Sequence, residues 1–83
     1  MELYIDVETK AGRKLYNGLK KLKTTHYIEE PAMYHTDNSF SRILIDTDLT
    51  EDQMDERLYK VKYAIGYIGV ITNQSHMRDK EIA

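Results

Sequence analysis

The hydrophobic period of this chain switches twice from strand to helix, and that repeated switch constrains the fold more than any other feature. From Glu2 to Glu8 the residues alternate strictly. Leu3, Ile5 and Val7 fall on one side, and Glu2, Tyr4, Asp6 and Glu8 on the other. A period of two is a strand with one buried face. From Lys10 to Lys23 the apolar residues Ala11, Leu15, Leu19 and Leu22 recur at helical spacing, with Thr9 placed as N-cap. Gly12 and Gly18 each cost about 1 kcal/mol against Ala in a helix, so a hairpin turning at Ala11-Gly12 is the alternative. The second switch follows Phe40 to Asp46, a strand with Ile43 and Ile45 on its core side. Thr50 and Gln53 then form a capping box, with Leu49 and Met54 placed as its hydrophobic staple. Met54, Leu58, Val61 and Ile65 give the buried stripe of a second helix, and Gly66 stands where a C′ glycine ends it.

The intervening segments complete the order. Thr25 to Tyr34 is a strand, and Pro31 within it lacks an N–H, which puts this strand at a sheet edge. Thr36-Asp37-Asn38-Ser39 is a turn, Tyr67 to Thr72 a fourth strand, and Asn73 to Ala83 a polar tail, frayed or forming a short helix. The sum is β-α-β-β-α-β over a single domain of 83 residues. Two right-handed crossovers make this an α+β, ferredoxin-like fold: a four-stranded antiparallel sheet with both helices on one face. The other face has no helix to cover it. A chain this short buries roughly 60–65% of its unfolded surface, and with no cysteine it has no disulfide to assist the core. No apolar run is long enough to span a bilayer, and the opening Met-Glu-Leu-Tyr-Ile-Asp is no signal peptide, so the expected location is the cytoplasm.

A net charge of −2 conceals two opposed blocks. Lys10 to Lys23 carries Lys10, Arg13, Lys14, Lys20, Lys21 and Lys23 with no acid; Asp46 to Glu56 carries Asp46, Asp48, Glu51, Asp52, Asp55 and Glu56 with no base. On a helix, Lys10, Arg13, Lys14, Asn17, Lys20 and Lys21 fall within an arc of roughly 120°, opposite the leucines. Cations in a first helical turn oppose the macrodipole by about 0.3–1 kcal/mol each, so helix stability alone does not select them. The chemistry such a stripe suits is contact with phosphates of RNA or DNA, and the bland alternative is a solvated face. The acidic block needs no partner to explain it, because acids suit the first turn of a helix. Its functional alternative is a mimic of nucleic-acid charge.

On the uncovered sheet face the alternation places Tyr4, Phe40, Leu44, Tyr67 and Ile71. Such a face either stacks unpaired bases or is buried in a homodimer. The strand Ser39-Phe40-Ser41-Arg42-Ile43-Leu44-Ile45 lacks the RNA-recognition-motif signature. His35, Asp37, Ser39 and Ser41 share a turn, but proximity in sequence does not make a triad. Neither a phosphate-binding loop nor a Rossmann glycine pattern occurs, and no catalytic residue, metal site or cofactor is expected.

Two resemblances add to this reading. Asp6 followed by Lys10-Ala11-Gly12-Arg13-Lys14-Leu15 resembles the opening of the Cas2/VapD-type ferredoxin-like proteins, where an Asp ends the first strand and a basic helix follows. That resemblance implies a metal-dependent nuclease with Asp6 as its acidic residue, although the second strand, His26-Tyr27-Ile28-Glu29-Glu30-Pro31, ends unlike theirs. In style, the chain also resembles small early counter-defence proteins of T-even-like phages: it is short, has no Cys or Trp, and mixes Lys, Asp, Ile, Tyr and Met. This second resemblance implies an inhibitor of a host RNA-cleaving toxin of a toxin–antitoxin system, working in the host cytoplasm.

The sequence thus supports a non-enzymatic RNA-binding regulator or inhibitor that uses the first helix. A protein-binding inhibitor, with a host protein or a second copy as partner, is the alternative, and a metal-dependent nuclease the third.

Overall fold

In a computed structural model, which describes residues 1–33 and 38–75, the first switch of period occurs without a loop. Strand β1 (Glu2–Glu8) runs directly into helix α1 (Thr9–Lys20). Thr9 is therefore the first helical residue and not the cap expected for it; Glu8 holds the N-cap position without a side-chain cap bond. The Thr9 hydroxyl instead donates to the carbonyl of Asn38 at 2.7 Å and accepts from Ser41 at 3.0 Å, tying the start of the helix to the neighbouring strand. The helix is real, so the hairpin alternative falls, but it ends three residues short of Lys23 in a turn closed by Leu22 N–H on the carbonyl of Leu19.

The second strand is broken. β2 (Thr25–Ile28) and β3 (Ala32–Met33) both pair with β4 (Phe40–Thr47), on the same side of it, with Pro31 in the gap. A residue without an N–H cannot donate to the ladder, and the edge position anticipated from Pro31 is where it lies. After β4 comes α2 (Glu51–Ala64), then β5 (Ile71–Ser75). The sheet order is β2-β4-β1-β5 with β3 beside β4, antiparallel throughout, which is the ferredoxin-like α+β arrangement. The turn expected at Thr36-Asp37-Asn38-Ser39, with His35, lies largely outside the described residues; Asn38 itself has φ 58, the left-handed conformation Asn tolerates in turns. Residues 76–83 of the polar tail also lie outside.

One core lies between the sheet and the two helices. Leu3, Ile5 and Val7 of β1, Ile43 and Ile45 of β4, Leu15 and Leu19 of α1, and Met54 and Leu58 of α2 fill it. Each such side chain, fully buried, contributes about 1.5–3 kcal/mol relative to exposure. Both glycines of α1 mark close approaches. A Cβ at Gly12 would lie 3.4 Å from the Pro31 side chain, and one at Gly18 would lie 2.7 Å from Cγ1 of Val61 on α2.

α2 is capped as its sequence dictates. Gln53 N–H donates to the Thr50 hydroxyl at 3.2 Å, and Thr50 N–H donates to the Gln53 side chain at 3.0 Å. At the other end Gly66 adopts φ 71, with Gly66 N–H on the Tyr63 carbonyl and Tyr67 N–H on the Lys62 carbonyl. That is a complete Schellman closure. It also displaces the last strand. Tyr67 to Val70 form a turn held by the Tyr67 hydroxyl, so pairing begins at Ile71 and not at Tyr67.

Candidate nucleic-acid interface

The six residues of the α1 stripe are all exposed and all on the face away from the core. The fold divides them into two rows. Lys10, Lys14, Asn17 and Lys21 fall within about 60° of one another by helical geometry, and Lys14, Asn17 and Lys21 line a groove between α1 and α2. Gly18, Val61, Ala64 and Ile65 supply the rest of its lining, and its volume is about 470 Å³. The close approach of Gly18 to Val61 draws the two helices together and sets the floor of this groove. Arg13 and Lys20 form the other row, and Arg13 reaches Glu30 between β2 and β3. Their charged ends lie 5.2 and 5.0 Å from the ring centre of Tyr16, a pair of cation–π contacts.

Some of the charge is answered. Lys10 lies 3.8 Å from Glu8, and Arg13 lies 3.5 Å from Glu30. Lys10 and Arg13, the cations near the helix start that the sequence leaves unexplained, therefore have acidic neighbours, which lie before the helix or across the fold. Both pairs are largely exposed and worth about 0–1 kcal/mol at most. Among the described residues no carboxylate pairs with Lys14, Lys20 or Lys21.

A second cavity, also about 470 Å³, continues the groove past the N-terminal end of α1 and the C-terminal end of α2. Lys14 and Ile65 belong to both; Lys10, Gly66, Tyr67 and Ile68 line the extension. Here the Tyr67 hydroxyl donates to Glu8 at 2.6 Å and to the Val70 carbonyl at 3.3 Å. Burial, then the bond to Glu8, push the Tyr67 phenol up to about 12, so it stays protonated and keeps one Glu8 oxygen occupied at neutral pH.

The acidic block is employed structurally. Glu51 and Asp52 occupy the first turn of α2. Asp55 accepts from the Asn73 side chain at 3.1 Å, which ties α2 to β5. Asp48 lies 2.7 Å from the His26 ring nitrogen and, through that hydrogen bond, raises the His26 pKa. Among the described residues there is no group of three or more metal-ligating side chains.

The sheet face that no helix covers among the described residues differs from expectation at β5. Ile71 stands opposite Val7, whose side chain is fully buried under the helices, so Ile71 points to the helix side and packs on the core. Tyr67 precedes the strand and packs there too. The expected parity fails because the pairing register sets the face: Ile71 is paired with Val7, which faces the core. Thr72 and Gln74 take the places opposite Asp6 and Tyr4. Tyr4, Phe40 and Leu44 do share the uncovered face and are half-buried. Between them, Arg42 donates to both oxygens of Asp6 at 2.8 and 3.0 Å and lies 4.6 Å from the centre of the Tyr4 ring. Asp6 is thus buried in a forked ion pair, and one side of the Tyr4 ring is taken by the guanidinium.

Sequence reasoning misses four residues of this surface. Tyr16 is hidden by its own amphipathic position, although Arg13 and Lys20 at i−3 and i+4 signal the contact. Tyr59, Tyr63 and Ile68 are 73%, 85% and 96% exposed. The signal is present for the tyrosines, two aromatics four residues apart on the polar side of α2. No helix among the described residues is long and apolar enough to cross a membrane. In comparisons with known proteins the chain matches no family model, no curated protein and no solved structure.

Proposed function

We propose that this chain is a non-enzymatic nucleic-acid-binding protein that holds RNA phosphates along the groove between α1 and α2, and acts as a regulator or inhibitor by occupying that RNA. The observation that carries this reading is the row Lys14, Asn17 and Lys21: two lysines without carboxylate partners among the described residues, and an amide between them, along one concave surface. An acid at i,i+4 to a lysine stabilises a solvated helix by about 0.2–0.5 kcal/mol. Here the row has none, and the groove concentrates its positive field. The nuclease alternative loses support, because both oxygens of Asp6 already accept from Arg42. The protein-binding alternative, including a homodimer, draws on Phe40 and Leu44 of the uncovered sheet face and does not need the groove.

Charge reversal separates the readings. Lys14→Glu with Lys21→Glu should weaken binding of a labelled single-stranded RNA at least tenfold, about 1.4 kcal/mol, with the melting temperature little changed. Fluorescence anisotropy measures this. Wild-type affinity in the folded double variant would refute the groove as the RNA site.

A further inference from the structure

Among the described residues the most exposed apolar side chains, Ile68, Tyr63 and Tyr59, lie where the groove leads. Tyr59 and Tyr63 stand four residues apart on α2, so their side chains are neighbours on its surface. They share a depression with Lys62, Tyr67 and Ile68, and it adjoins the groove extension through Tyr67 and Ile68. The path is therefore continuous. It starts at Lys21 and Lys14 between the helices, passes Lys10 and Gly66 at the end of α2, and finishes on two largely exposed phenol rings. Lys62, 5.9 Å from the ring centre of Tyr67, keeps a cation at that end. The one carboxylate lining the extension is Glu8, already engaged by the Tyr67 hydroxyl and near Lys10.

Resting on the groove reading above, we infer that the ligand is specifically single-stranded: its phosphates follow the lysine row, and its unpaired bases stack on Tyr59 and Tyr63. The core does not account for these rings, which project from it. Aromatic faces beside a cationic track are what a single strand recognises, because every unpaired base offers a π-face and a duplex hides its own. The acids of the first half of α2, Glu51, Asp52, Asp55 and Glu56, repel a polyanion and limit the strand to the C-terminal half of that helix. The charge complementarity of the path thus favours a polyanion with bases over an apolar peptide.

The test uses three ligands and two variants of the full chain. The ligands are a short unstructured RNA, the same RNA annealed into a duplex, and inorganic polyphosphate, which has phosphates without bases. Tyr59→Ala with Tyr63→Ala should lose about tenfold or more in affinity for the single strand, as loss of base–aromatic stacking does, and leave polyphosphate binding unchanged. Lys14→Glu with Lys21→Glu should lose both. Because Tyr59 and Tyr63 are exposed, the tyrosine variant should melt like the wild type. Wild-type single-strand affinity in that variant, or duplex bound as tightly as single strand, would overturn the inference while leaving the groove intact. Undiminished binding in the lysine variant would instead overturn the groove reading itself. A tyrosine variant that loses a protein partner while keeping RNA would assign the patch to that partner and also overturn the inference.

Discussion

At the scale of single residues, Gly18 shows how a local cost becomes a global requirement. Replacing glycine by alanine within a helix is worth about 1 kcal/mol in propensity. Here the added Cβ would lie 2.7 Å from Cγ1 of Val61, a β-branched side chain with little freedom to move. Overpacking of this kind costs about 1–3 kcal/mol, so the clash outweighs the propensity. Gly18→Ala should therefore lower the urea midpoint, and adding Val61→Ala should recover much of the loss. A stabilised single variant would mean that the helices do not meet at this point. In the sequence the same glycine argues against a helix, because propensity is local and the neighbour across the groove is not. Asp6 is a parallel case. Its place on the polar side of β1 is legible, but its partner Arg42 is set by strand register, which alternation alone does not fix.

At the scale of elements, α2 is the most legible because its signals are contained within it. Thr50 and Gln53 cap each other, Met54 and Leu58 are buried, and Gly66 closes the end. Thr50→Ala removes an acceptor for the Gln53 N–H and should cost about 1 kcal/mol. For a domain of this size that is roughly 4–8 °C in melting temperature, measurable by circular dichroism. No shift would mean the capping box does not form in solution. β5 is the least legible. The Schellman closure and the Tyr67 turn consume four residues before pairing begins, and the register that then pairs Ile71 with Val7 puts Ile71 on the core side and not on the uncovered face. β2 and β3 lie between these cases: Pro31 announces an edge, but not that the strand splits around it.

At the scale of the whole molecule, charge is sorted by the fold as much as by the sequence. The acids of the second block serve helix α2, His26 and Asn73. Apart from Lys23, the bases of the first block divide into a row that clasps Tyr16 and a row that lines the groove and its extension. The basic stripe is visible in the sequence as six residues on one arc. Its division is not, because it depends on where α2 and the β2/β3 edge pack against α1. Nor is the continuity of the groove with Tyr59 and Tyr63, which depends on how α2 ends. The central claim is phosphate contact by Lys10, Lys14 and Lys21. The most direct measurement is the salt dependence of binding to single-stranded RNA. Three contacts at about 0.7 released counterions each predict a slope of about −2 for log K against log salt. A slope near zero would contradict phosphate contact by this row.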